Sequence, residues 1–352
     1  MSAAHVLVVR PDNDGDVLLA GPAIRAVANR ASRVTLLCGP RGRRAAGMLP
    51  GIDEIVEHPL PWIDPEPKPA TRAAVLELTG RIEALGADEA FIFTSFHQSP
   101  LPTALVLRMA GVAFVAAVSE DYPGSLLDLR HRVPDDIHEV ERSLSLVGAA
   151  GYRLAPEDDG RLRISRSGKS PLAESFRPYV VLHPGASVPA RAWDPARNAE
   201  LARRLHELGY KVAVTGSAAE RELTAFVAGA EGPGVQGPGV RDLGGLTNFA
   251  DLAEVIAGAE AVVVGNTGPA HLAAAVGTPV ISLYAPTVPA ARWHPWRVPH
   301  VVLGDQEVPC AGCRARVCPI PGQPCLAAVT VDDVLNALED ITGGVRLQGA
   351  TR

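Results

Sequence analysis

The stretch Ala261–Thr287, AVVVGNTGPAHLAAAVGTPVISLYAPT, constrains the fold more than any other part of the chain. Val262–Val264 is a β-branched run too short for a helix and bounded by turn residues, which reads as a buried parallel strand. The run breaks at Gly265-Asn266-Thr267-Gly268-Pro269. Proline is tolerated in the first turn of a helix, and Asn or Thr just before it can cap free amides. Leu272, Ala275 and Val276 continue at helical spacing until Gly277-Thr278-Pro279 stops the helix, and Val280–Tyr284 is the next strand. Such a unit aims a helix N-terminus at the carboxyl edge of a parallel sheet, where a phosphate would sit. A structural crossover without a ligand would have the same local pattern.

Between Glu260 and Arg292 only His271 can carry a charge near neutral pH, so the stretch also resembles a membrane span. Five glycines or prolines from Gly265 to Pro279 interrupt it, which points instead to a buried α/β core. The 352 residues leave room for two domains of ordinary size, and 47% hydrophobic against 20% charged residues supports sizeable cores rather than disorder. A formal charge of −6 argues against nucleic acid as a partner. The opening MSAAHVLVVRP lacks the basic region and cleavage site of a signal peptide and runs directly into a strand. The expected location is cytoplasmic, without a transmembrane segment and with at most transient contact at the inner membrane surface.

From the N-terminus, His5–Val9 reads as a strand, followed by the polar turn Arg10-Pro11-Asp12-Asn13-Asp14-Gly15-Asp16. Val17, Leu18, Ile24 and Val27 line up as a helix, with Pro22 blurring its start. Taken alone, Asp16 reads as a helix cap. Arg33–Cys38 is the second strand. Gly39–Met48 carries Arg41, Arg43 and Arg44 into a helix, either as a solvated face or as contacts for an anionic acceptor. Glu54–His58, Glu89–Thr94 and Phe114–Val118 are further strands, with helices over Ala70–Leu85, Thr103–Ala110 and Ile137–Leu146. Thr94-Ser95-Phe96-His97-Gln98 is a polar cluster suited to holding hydroxyls, and His97 joins the three arginines as an acceptor contact. Strand and helix alternate throughout, as in a doubly wound parallel sheet.

Glu157–Ser170 is polar and reads as a linker, after which the pattern restarts. Tyr179–His183 and Lys211–Val214 are strands, with a helix over Asn198–Leu208 between them. Phe249, Leu252, Val255 and Ile256 share one helix face. The expected domains are 1–165, 166–330, and a terminal helix and tail over 331–352. Two such halves place the default site between them.

With these pieces in place the chain resembles glycosyltransferase family 9, the ADP-heptose:lipopolysaccharide heptosyltransferases and their relatives. The resemblance is carried by Gly15-Asp16-Val17, by His183-Pro184-Gly185-Ala186-Ser187, and by Thr215-Gly216 with Glu220. It is strongest in Gly265-Asn266-Thr267-Gly268-Pro269-Ala270-His271-Leu272 with Gly277-Thr278-Pro279. It implies a GT-B architecture: two Rossmann-like domains facing across a cleft, acceptor-binding first and nucleotide-sugar-binding second, with a terminal helix packing back. The implied reaction is inverting, needs no cofactor, and moves a heptose from an ADP-activated donor to a glycan or glycolipid such as lipopolysaccharide core. Asp16 matches the family's base and outranks the capping reading. Donor contacts fall on Ser187, Arg191, Gly216, Glu220, Asn266, Thr267, Gly268 and His271. Arg191 stands where relatives place a lysine, and Asn266 where many have an aspartate. Other readings are transfer of a different sugar to a small molecule or surface glycan, a nucleotide-sugar epimerase, and a non-catalytic nucleotide-sugar-binding protein.

Cys310, Cys313, Cys318 and Cys325 form C-x2-C-x4-C-x6-C in a Pro/Gly-rich loop. Structural zinc, an iron–sulfur centre, free thiols and disulfides all remain open for them. The loop is remote in sequence from Asp16 and from the Gly265–His271 turn. Loss of a cysteine is therefore expected to lower stability before donor affinity.

Overall fold

The computed structural model describes residues 4–172, 174–229 and 239–343, so the tail expected after the terminal helix lies outside it. The chain divides into two compact units, Met1–Ser165 and Arg166–Arg352.

The first unit runs β1 (His5–Arg10), α1 (Asp14–Leu19), α2 (Gly21–Ala28), β2 (Arg33–Cys38), α3 (Arg43–Ala46), β3 (Glu54–Glu57) and α4 (Arg72–Glu83). It continues with β4 (Glu89–Ile92), α5 (Leu101–Met109), β5 (Phe114–Val118), β6 (Leu129–His131) and α6 (Glu139–Ala149). The strands form one parallel sheet in the order β3-β2-β1-β4-β5-β6, with Val6 opposite Val34 on one side and Glu89 on the other. Val6, Leu7, Val8 and Val9 are fully buried, as a central strand covered on both faces requires.

Two helices replace the single one expected over Val17–Val27. Pro22 lies in the first turn of α2, where its missing N–H and fixed φ are harmless; within a continuous helix it would break the ladder. The N-cap of α1 is Asn13, so Asp16 sits inside the first turn and does not cap. The helix expected over Gly39–Met48 contracts to a 3₁₀ turn, Pro40–Gly42, and α3. Gly42 packs so closely that a Cβ there would meet Val17 Cγ2 at 2.6 Å.

The second unit runs β7 (Tyr179–His183), α7 (Pro195–Glu207), β8 (Lys211–Val214), α8 (Arg221–Ala228), β9 (Val240–Asp242), α9 (Phe249–Ala257) and β10 (Ala261–Gly265). Then follow α10 (Gly268–Val276), β11 (Val280–Leu283), α11 (Ala290–Trp293), β12 (His300–Leu303), α12 (Pro324–Ala327) and α13 (Val331–Thr342). Its parallel sheet has the order β12-β11-β10-β7-β8-β9, the same topology as the first when read from the other edge. Gly277 ends α10 at φ +83, a left-handed cap that glycine adopts without strain. The terminal helix α13 is capped by Thr330, whose hydroxyl accepts from the Asp333 amide. It contacts α7 and β10–β12, burying Val331, Val334, Leu335 and Leu338 in the core of its own unit.

Candidate functional site

Open parallel sheets bind ligands beyond the carboxyl ends of the strands where strand order reverses. In the first unit that point lies between β1 and β4, and a buried ionic network fills it. Arg10, the last residue of β1, is 2% exposed. Its Nη2 donates to Asp16 Oδ1 (3.0 Å) and Ser95 Oγ (3.3 Å), and its Nε faces Asp12 Oδ2 at 3.3 Å. Gln98 Nε2 donates to Asp12 Oδ1 at 2.6 Å and accepts from the Ser95 amide through Oε1. Burial works against the Arg10 charge, but Asp12, Asp16 and Glu139 outweigh it and raise its pKa. Burial likewise pushes the Asp12 carboxyl up, opposed by Arg10. Asp16 keeps 19% of its side chain exposed, so it is both held by a cation and open to a ligand.

The sequence reading missed Arg10 and Asp12 as members of this network; Ser95 and Gln98, read as suited to holding hydroxyls, brace its ions. A faint signal existed: an arginine ending a run of four aliphatic residues and followed by three acids within six residues.

The four acceptor contacts proposed from sequence separate. Arg41 borders a groove with Asp12, Asn13, Leu60 and Ile63. Arg43 faces Glu57 at 3.9 Å. Arg44 places Nε and Nη2 on Asp14 Oδ2 (2.9 and 2.6 Å), and the Ala45 amide donates to Asp14 Oδ1, which locks α3 onto α1. His97 is exposed beside Phe96, at 5.3 Å between rings.

In the second unit the reversal lies between β7 and β10, and glycine and backbone dominate there. The chain after β10 turns at Asn266 and Thr267 into α10. The Thr267 hydroxyl faces the Gly265 carbonyl (3.4 Å) and does not cap the helix. Arg191 reaches this turn from the 3₁₀ segment Pro189–Arg191: Nη1 donates to the Asn266 carbonyl (3.3 Å) and Nε to Thr287 Oγ1 (3.1 Å). The close approach requires glycine at 265, since a Cβ there would lie 2.8 Å from the Arg191 carbonyl. Asn266 is buried, and its Nδ2 has no hydrogen-bond partner among the described residues.

Glu220 accepts from the amide and hydroxyl of Ser217, both at 2.7 Å, in a capping box. Its carboxylate packs over Gly185, where a Cβ would stand 2.0 Å from Oε1. A Cβ on Gly216 would meet Thr224 Cγ2 at 2.6 Å. His183 Nδ1 shares a hydrogen bond with Thr215 Oγ1 (3.0 Å), and burial lowers its pKa. Ser187 is exposed on the turn after β7, whereas His271 is buried in α10. Fixed cation and helix N-terminus together are suited to an anion.

Cys310, Cys313, Cys318 and Cys325 line one small cavity with Ala190, Pro286 and Thr287. Burial, then the neighbouring thiols, push the Cys325 thiol up. Their chemistry suits zinc or iron–sulfur, yet among the described residues no three His, Cys, Asp or Glu side chains are arranged to hold a metal ion. The loop is remote from the Gly265–His271 turn in sequence but touches the segments that carry Arg191 and Thr287: the Ala190 amide donates to the Arg316 carbonyl (3.0 Å) and the Arg314 amide to the Thr287 carbonyl (2.9 Å). The expectation that a cysteine change would spare this turn therefore loses its basis.

Residues 95–323 match the model of glycosyltransferase family 9 (heptosyltransferase). Lipopolysaccharide heptosyltransferase 1 of Pseudomonas aeruginosa is 34% identical over 227 residues, covering 63% of this chain and 61% of that protein. Lipopolysaccharide heptosyltransferase 2 of Salmonella typhimurium is 32% identical over 184 residues, 48% of this chain and 53% of that one. The aligned part thus spans about half to three-fifths of the length of these relatives. Among solved structures, E. coli ADP-heptose lps heptosyltransferase II superposes with a TM-score of 0.73 at 22% identity, over 96% of this chain and 98% of that one. The iron-containing dodecameric glycosyltransferase TibC of E. coli gives 0.57 at 15% identity, over 97% and 77%. These likenesses are of fold, and the fold is GT-B with two Rossmann-like units. No helix among the described residues is long and apolar enough to cross a membrane.

Proposed function

Because the chain belongs to glycosyltransferase family 9, we propose that it moves a heptose from an ADP-activated donor to a hydroxyl of lipopolysaccharide core, with inversion and without a cofactor in the chemical step. The observation that carries this reading is Arg191, a cation fixed against the turn that opens α10. The leaving diphosphate gains negative charge as the glycosidic bond breaks, and preorganised donors lower that barrier most. Arginine adds a fork matched to phosphate oxygens that lysine lacks. Thr267 and Gly268 offer amides at the helix N-terminus, Ser187 a hydroxyl, and Asn266 Nδ2 a donor in need of an acceptor. Glu220 accepts from the nucleotide's ribose, while His271 orients the phosphate turn from within α10.

Asp16 takes the proton of the acceptor hydroxyl as that oxygen attacks the anomeric carbon. The contribution of this carboxylate is positioning together with proton acceptance in the transition state. Arg10 fixes one of its oxygens and leaves the other for the hydroxyl. Arg41 serves anionic groups of the acceptor along its groove. A glycolipid acceptor brings the protein transiently to the cytoplasmic face of the inner membrane. A structural zinc or iron–sulfur centre at the four cysteines is a separate proposal, supported by the donor set. A metal would have to draw the thiols together, and metal analysis near one atom of zinc per chain, or a coloured cluster, checks it.

To test the activity, purified protein is offered ADP-heptose with heptose-deficient lipopolysaccharide, and products are read by mass spectrometry and NMR. A heptose added with inverted configuration and one ADP released are expected. Preference for a GDP-, UDP- or dTDP-sugar, a small-molecule acceptor, or donor isomerisation without transfer would overturn the assignment.

A further inference from the structure

We infer that the four-cysteine loop is the positioning platform for Arg191, with Gln323 as the residue that couples the two. The inference rests on the donor role proposed for Arg191. Residues 310–325 grip both segments that hold this arginine. On the Pro189–Arg191 turn, the Arg316 carbonyl accepts from the Ala190 amide (3.0 Å) and Gln323 Nε2 donates to the Ala190 carbonyl (2.8 Å). On the segment after β11, the Gly312 amide donates to the Pro286 carbonyl (2.7 Å) and the Arg314 amide to the Thr287 carbonyl (2.9 Å). Thr287 in turn accepts from Arg191 Nε, and Arg191 Nη1 reaches the Asn266 carbonyl. A continuous chain of hydrogen bonds therefore runs from the loop to the turn that opens α10. The same loop brings four thiols round the cavity walled by Ala190, Pro286 and Thr287, so the packing of those thiols bears on the same two segments.

The backbone points to the same role. Among the described residues three non-glycines have positive φ: Arg297 (53), Arg314 (55) and Gln323 (46). Two of these are the loop's anchors. A left-handed position favours glycine or asparagine, and a long side chain there persists only when its surroundings hold it. What Gln323 has and glycine lacks is an amide that reaches Ala190; what asparagine lacks is one methylene of reach.

Gln323→Gly separates positioning from folding. It deletes the amide while relaxing the backbone, so the melting temperature should hold or rise while ADP affinity, by calorimetry, falls about tenfold, the size of a lost hydrogen bond. Gln323→Asn should lose affinity similarly, because its amide falls short of Ala190. Wild-type ADP affinity in a folded Gln323→Gly protein would overturn the inference. Calorimetry with GDP, UDP and dTDP runs alongside. A wild-type chain that prefers one of these refutes the ADP donor, and the variants are then read with that nucleotide; one that binds none refutes both proposals.

Discussion

The two sheets share a strand order but fill their reversal points with opposite materials. Between β1 and β4 the chain buries charge: Arg10 stands among Asp12, Asp16 and the Ser95–Gln98 brace. After β7, β8 and β10 the second unit packs backbone closely: Gly185, Gly216 and Gly265 each sit where a Cβ would strike a neighbour within 3 Å. One topology thus carries two kinds of packing, side chains fixed as ions in one sheet and glycine against its neighbours in the other. Side chains at these points, not strand order, set what each reversal point holds.

Four experiments test that contrast, from the largest expected effect to the smallest. Asp16→Asn removes the proposed base, and turnover should fall by roughly 10²–10⁴-fold with donor affinity almost unchanged. Near-wild-type turnover would strip the first reversal point of its proton-transfer role. Arg191→Ala acts at the second reversal point and should lower both donor affinity and turnover, the latter by roughly 10²–10³-fold, with Arg191→Lys recovering part of the loss. Unchanged donor binding would mean that this arginine does not hold the diphosphate. Arg10→Lys keeps the buried charge but not the forked geometry, so steady-state turnover should fall about tenfold while ADP binding stays the same. Equal losses in both measurements would leave the two reversal points without distinct roles.

The last experiment concerns acid. Arg25 holds Asp158 by two hydrogen bonds and lowers its pKa to about 2. Arg166 lowers that of Glu254 in the second unit. A carboxylate with a depressed folded pKa stabilises the protein above its unfolded value, near 3.9 for Asp, and that contribution is lost as pH falls through the folded value. Urea titrations from pH 5 to about 2 should therefore show a flatter decline for Arg25→Met than for wild type. Arg166→Met should flatten the curve in the same direction. Parallel curves for wild type and both variants would show that neither pair contributes to acid stability.

Central elements were legible because both faces of a buried parallel strand are apolar. Arg33–Cys38, Phe114–Val118, Tyr179–His183 and Lys211–Val214 are strands with the expected bounds. Leu129–His131, Val240–Asp242 and His300–Leu303 escaped notice, and all three are edge strands of four residues or fewer. Pairing on one side only demands less of their composition. The glycine turn at 265–268 could be read because its strand, turn and helix are consecutive. The Arg10–Ser95 contact joins positions 85 apart, and the Gln323–Ala190 bond positions 133 apart. Neither has a local pattern to reveal it.

The place of α13 in the second core has a consequence for how the chain is made. Val331, Val334, Leu335 and Leu338 complete that core from its far end, beyond every strand of the sheet. A nascent chain can close its first unit once residue 165 has cleared the ribosome, but the second must wait for α13. At ~5–20 residues per second that wait lasts roughly ten to forty seconds, during which β10–β12 stand without the helix that packs on them. The second unit is thus the slower of the two to close during synthesis, and a chaperone that binds apolar strands would find its target there.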